Sequence, residues 1–132
     1  MKNCFEEGFN KGFPIKATFY VSYEWTDYSQ VQHLCANGHM IASHTITHSF
    51  GTNFIKEKWA NKVVGEAELL VRLAEVNPAD ITGMRAPFLA VGGDMMFNML
   101  SRYWFYYVSS RPTRSLRPVP SLWNTGYHIH AV

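Results

Sequence analysis

Four short apolar runs, each followed by a turn or a polar rim and each separated from the next by a helical pattern, decide what this chain can become. The runs are Lys16 to Ser22, Met40 to Ser43, Ile81 to Arg85 and Trp104 to Ser109. Strands alternating with helices spell βαβ units, and βαβ units build a parallel sheet. The chain has 132 residues, which suits one domain of the common ~100–150-residue size. A closed eight-stranded α/β barrel needs roughly 200 residues or more, so these residues cannot hold a whole one.

The helices between the runs carry their own signals. Asp27 or Ser29 can cap the first. Val31, Leu34 and Cys35 give its apolar stripe, and Gly38 stands where a helix end wants positive φ. From about Lys58 to Glu75, Trp59, Val63, Ala67, Leu70 and Ala74 recur at helical spacing, with Leu73 widening the stripe. Asn77-Pro78 stops that helix. Gly92-Gly93-Asp94 turns the chain, with Asp94 as cap, and Met95, Met96, Met99 and Leu100 read as core filler on a short third helix. Residues 1–15 read as an irregular lead-in. Arg111 to Pro120 is a basic loop, and 111–132 is a loop-rich tail to a single domain spanning 1–132.

Composition excludes some partners. Apolar residues are 47% and charged ones 17%, far from a disordered chain. The net charge is only +2, and no basic stripe interleaves with aromatics, so nucleic acid is not an expected partner. No run approaches the ~18 apolar residues of a membrane span. The first residues lack the apolar segment of a signal peptide. Of the two cysteines, Cys35 falls on a helical face as a buried thiol, and a Cys4–Cys35 bridge is not readable from spacing.

The residues that carry chemistry stand at the ends of the runs. His44 and His48 follow the second run directly. Two imidazoles four apart on a helical turn can share a metal, or can be two surface histidines at a helix start. Strand C-termini are where sites collect in parallel α/β folds. Arg85-Ala86-Pro87-Phe88 ends the third run. Its arginine can fork onto a carboxylate or be ion-paired before an ordinary turn. Pro87 fixes the turn and can aim the backbone N–H of Phe88 at an oxyanion.

His44-Thr45-Ile46-Thr47-His48 resembles the H-[ST]-x-x-H motif, and Arg85-Ala86-Pro87-Phe88 the R-x-P-[FY] motif, of the polysaccharide deacetylases (NodB-homology domain, carbohydrate esterase family four). The stretches 16–22, 38–44 and 83–93 are similar to the animal chitin-deacetylase-like members, and the likeness runs from about Lys16 to Trp123. The resemblance implies a distorted (β/α) barrel, here partial and missing strands at both ends. It implies removal of acetyl groups from chitin or a related N-acetylglucosamine polymer, by a protein that is secreted. It also implies a divalent metal, usually zinc, on one Asp and two His. The two His correspond to His44 and His48, the base-orienting Arg to Arg85, and an oxyanion donor to the Phe88 N–H. In such a reaction the metal polarises the acetyl carbonyl and activates water, a carboxylate takes the proton, and a His protonates the amine.

Four departures follow. Residues 1–15 contain no Asp, where the family's T-F-D-D motif would supply base and third ligand. Tyr107-Val108-Ser109-Ser110 stands where relatives have Tyr-Asp-Ser-Ser, and Asn124-Thr125 follows Leu122-Trp123 where they have Pro-Tyr. His128 and His130 come too early for the general-acid motif. The expectation is therefore an incomplete, inactive piece of a deacetylase domain. The alternatives are a chitin-binding module without chemistry and an unrelated flavodoxin-like protein. Trp59 is expected in the core, Trp123 in either core or groove, His39 in a structural role and His33 in water.

Overall fold

The computed structural model describes residues 14–110. Cys4, the 111–120 loop, Trp123, His128 and His130 lie outside the described residues. Four strands, β1 (Thr18–Val21), β2 (Met40–Ser43), β3 (Gly83–Met84) and β4 (Tyr107–Val108), form one sheet in the order β1-β2-β3-β4. Every neighbouring pair is parallel. Three helices connect them: α1 (Tyr28–Ala36), α2 (Lys56–Ala74) and α3 (Gly93–Arg102).

The side chains that line up across the sheet all turn to the helices. Val21, Ser43, Met84 and Val108 share one register row. Val21 packs with Val31 of α1 and with Leu70 and Ala74 of α2. Met84 packs with Trp59 and Val63 of α2 and with Met96, Met99 and Leu100 of α3, and Val108 lies against the same group. The Ser43 hydroxyl donates to the Val63 carbonyl at 3.0 Å. One face of the sheet thus carries all three helices. Sequential strand order with same-handed crossovers produces that arrangement. A flavodoxin-like sheet reverses its strand order at a switch point, so the sequential order overturns the flavodoxin-like alternative.

Local chemistry explains the boundaries. Asp27 caps α1, its carboxylate accepting from the Ser29 N–H at 3.0 Å and the Ser29 hydroxyl at 2.6 Å. These bonds hold its carboxyl below the usual carboxylate range. Gly38 has φ +78°, as expected for the turn after a helix. Helix α2 ends at Ala74, with Glu75 in the left-handed region at φ 54°. Asn77 then caps a 3₁₀ turn that opens with Pro78.

Three expectations fail on inspection. Leu73 and Met95 are half exposed, because each falls outside the narrow arc that its helix presents to the sheet, whereas Met96 and Met99 are fully buried. Asp94 does not cap α3; that helix begins at Gly93, placing Asp94 in its first turn. Paired backbone in the fourth run is confined to Tyr107–Val108, since Trp104 adopts φ 62° and turns the chain after α3. The core places Trp59 at 0% exposure, as its spacing implies. His39 accepts from the Ala17 N–H at 3.2 Å and meets Phe19 edge-on, a structural role, while His33 is exposed.

Glu66 is the residue that helical spacing does not foresee. It stands in the middle of α2 at 0% exposure. Neither carboxyl oxygen has a hydrogen-bond partner of good geometry, and the neighbouring Tyr28 hydroxyl is likewise buried without one. Burial pushes the Glu66 carboxyl up to about 8, an effect only partly offset by the Tyr28 hydroxyl and the Tyr23 backbone. Burial and the nearby Glu66 charge push Tyr28 up to about 12. Glu66 is therefore a neutral acid at neutral pH, as an unpaired buried carboxyl must be.

Candidate active site

Backbone ladder bonds set the site's frame. The His44 N–H donates to Val21 O at 2.8 Å, Arg85 N–H to Ser43 O at 3.0 Å and Ser109 N–H to Met84 O at 3.0 Å. His44, Arg85 and Ser109 thus begin where β2, β3 and β4 end, on one rim of the sheet.

His44 and His48 do meet, with ring centroids 5.0 Å apart, but not on a helical turn. The segment after β2 is irregular, and buried Thr45 has φ 73°. The Thr45 hydroxyl donates to Thr47 O at 2.8 Å, and the Ile46 N–H donates to Lys62 O at 3.0 Å. Lys62 Nζ donates to the Thr47 hydroxyl at 2.7 Å. Helix α2 therefore fixes the loop that folds His48 back over His44. Spacing anticipated the meeting but not the means, because period arguments assume regular backbone.

The ring of His44 has a defined second contact. Its Nδ1 lies 2.8 Å from the Arg85 carbonyl. A carbonyl only accepts, so Nδ1 carries the hydrogen and Nε2 keeps its lone pair. Burial holds the His44 pKa below its ordinary value, the bond to Arg85 O opposing the effect and the neighbouring His48 and Arg85 side chains adding to it. The ring is neutral at neutral pH, the form that ligates metals. The Arg85 guanidinium carbon stands 5.5 Å from the Tyr20 ring centroid.

Beyond Arg85, the chain turns through Pro87, Phe88 and Leu89. Phe88 (φ 56°, ψ 16°) and Leu89 (φ 55°) are consecutive left-handed residues that are not glycine. Such conformations cost about 1–3 kcal/mol each and persist where their surroundings impose them. Leu89 N–H donates to Ala86 O and Ala90 N–H to Pro87 O; neither bond uses the Phe88 N–H. The Ala86 N–H donates to the buried Ser110 hydroxyl at 2.5 Å. Ser110 was not foreseen as a support; its only signal is a serine one residue past the fourth strand run.

Trp59 lies beneath both loops. A Cβ on Gly51 would fall 2.5 Å from its ring and one on Gly92 2.3 Å from its Nε1. Only glycine admits such close approach. Val108, at the position where relatives carry Asp, is half buried against the core and offers no acid. Among the described residues, no group of three His, Cys, Asp or Glu could hold a metal ion.

With this geometry, known proteins can be compared. A family model described as polysaccharide deacetylase matches residues 11–102. Chitin deacetylase 1 of Bombyx mori is 36% identical over 103 residues, which are 75% of this chain and 19% of that protein. The Xyl-CE4 domain of a multidomain xylanase, from the hindgut metagenome of Trinervitermes trinervoides, aligns at TM-score 0.56 and 25% identity. That match covers 64% of this chain and 40% of the other. A family 4 acetyl xylan esterase from Clostridium thermocellum, solved with a cobalt ion, shares the fold at TM-score 0.56 and 18% identity, over 64% and 41% of the two chains. The chain thus spans about a fifth of the curated relative and two fifths of the solved domains.

Proposed function

The chain belongs to the polysaccharide deacetylase family, and on that premise we propose that it contributes the central wall of a metal-dependent site that removes N-acetyl groups from chitin or a related N-acetylglucosamine polysaccharide. The observation that supports this most is the pairing of His44 with His48 at 5.0 Å while Nδ1 of His44 is tied to the Arg85 carbonyl. That bond leaves Nε2 for a cation, and a carbonyl partner on the far nitrogen is the usual outer contact of a ligating histidine. The pair fits two positions of a zinc or cobalt site. A divalent ion there would supply polarisation of the acetyl carbonyl and acidification of water.

The chain's own groups have distinct tasks. His44 and His48 hold the ion. Arg85, at the end of β3, orients a carboxylate base. The N–H of Phe88, left out of its turn's two hydrogen bonds, faces the developing oxyanion. Chitin deacetylase 1 is named for chitin, and that substrate class is carried over from it, while an extracellular setting follows from the resemblance to the family alone. No helix among the described residues is long and apolar enough to cross a membrane.

Residues 1–15 carry no Asp and the described residues hold no group of three His, Cys, Asp or Glu fit for a metal, so on this reading the 132 residues are inactive by themselves. General acid–base help is worth ~10²–10⁴ in rate, and among the described residues no carboxylate joins the two imidazoles in a cluster. A second reading, a module that binds chitin without cutting it, draws on Val108 in place of an acid. Zinc titration with acetate release from chitin oligomers tests both. Zinc binding that is lost in His44→Ala and His48→Ala, with no acetate released, is the expected result. Zinc binding indifferent to both changes refutes the metal site, and acetate release above those controls refutes inactivity.

A further inference from the structure

The surface beside the two imidazoles is aromatic. The Phe88 ring meets His48 at 4.5 Å between centroids. The Phe50 ring lies 5.5 Å from Phe88, inclined at 34°. The four rings of His44, His48, Phe88 and Phe50 thus run in contact from the strand end outward. Yet Phe88 and Phe50 are 60% and 61% exposed. Single exposed apolar residues are ordinary; two neighbouring phenyl rings adjoining a polar site mark a place for a ligand.

Two features keep these rings in water. Gly51 rests against Trp59, which anchors the backbone one residue beyond Phe50. Phe88 is held at a left-handed φ that its turn imposes.

The geometry points to a sugar-binding platform built on Phe50: with Phe88, its ring takes the apolar face of a pyranose unit in a β-linked N-acetylglucosamine chain, next to the unit whose acetyl group meets the imidazoles. This rests on the deacetylase reading above. The chemistry is selective. A pyranose with equatorial substituents turns its axial C–H bonds to one face, and those bonds meet an aromatic π surface while the hydroxyls stay in water. Phenyl rings offer no hydrogen bonds, so this subsite fixes the polymer's position and leaves the choice of acetyl group to the imidazole end.

The test uses the 132-residue chain and chitopentaose, titrated calorimetrically with zinc and again with EDTA. Phe50→Ala and Phe50→Leu should each weaken binding at least about threefold, the scale of one aromatic contact. Phe50→Trp should retain it. Phe50 is exposed, so melting curves and zinc affinity should not move. Undiminished binding in Phe50→Leu, or no chitopentaose binding by the unaltered chain, overturns the platform. The parallel zinc titration keeps the two readings apart: insensitivity to His44→Ala sinks the metal site, whereas the platform stands or falls on the sugar titration.

Discussion

Nδ1 of His44 lies 2.8 Å from the carbonyl oxygen of Arg85, so the residue ending β2 takes its tautomer from the residue ending β3. Two sequence motifs are thereby joined by one hydrogen bond. The link predicts that His44 is the Nδ1–H tautomer near neutral pH. Long-range proton–nitrogen NMR reads this directly, and an Nε2–H form would contradict it.

The buried carboxyl of Glu66 makes stability depend on pH. Its folded value of about 8 lies above its ordinary 4.5. Between those values the folded chain holds a proton that the unfolded chain has lost, so stability falls as pH rises through that window and levels off above it. At ~1.4 kcal/mol for each pH unit separating the two values, the loss sums to a few kcal/mol. Glu66→Gln should flatten the window and melt higher than the parent at alkaline pH. Parallel pH profiles for the two proteins would contradict this.

Ser110 should matter to the turn that carries Phe88. Its hydroxyl is the acceptor for the Ala86 N–H, and both groups are buried. Ser110→Ala leaves that N–H without a partner, at about 1–3 kcal/mol. Urea denaturation should show the loss with an unchanged slope; a change below a few tenths of a kcal/mol would argue against the bond.

Gly92→Ala should be costly for a steric reason. Its Cβ would fall 2.3 Å from Nε1 of Trp59, whose indole is fully enclosed. Overpacking of this kind costs about 1–3 kcal/mol. The same change at Gly93, where an added Cβ meets nothing within 4 Å, shares no such clash. Equal melting temperatures for Gly92→Ala and the parent would contradict the packing.

Much of the architecture was legible because periodicity and burial coincide. The β1 and β2 runs, the α2 stripe through Trp59 and Leu70, and the break at Asn77-Pro78 follow from residue pattern alone. Expectations failed where tertiary packing narrowed a stripe, as at Leu73 and Met95, or where irregular backbone did the positioning, as at Thr45. Glu66 was invisible because a charged letter on a helix reads as solvated; only three-dimensional neighbours make it an enclosed neutral acid. Spacing also cannot reveal Ser110, whose partner is an amide far away in sequence.

Trp59 supports both the segment after His48 and the segment after Phe88, one through Gly51 and the other through Gly92. A single indole therefore acts as a common bearing for two otherwise separate arms. Both arms are therefore held against one enclosed steric boundary, so a change in the volume or tilt of that ring bears on the imidazole side and the oxyanion side together.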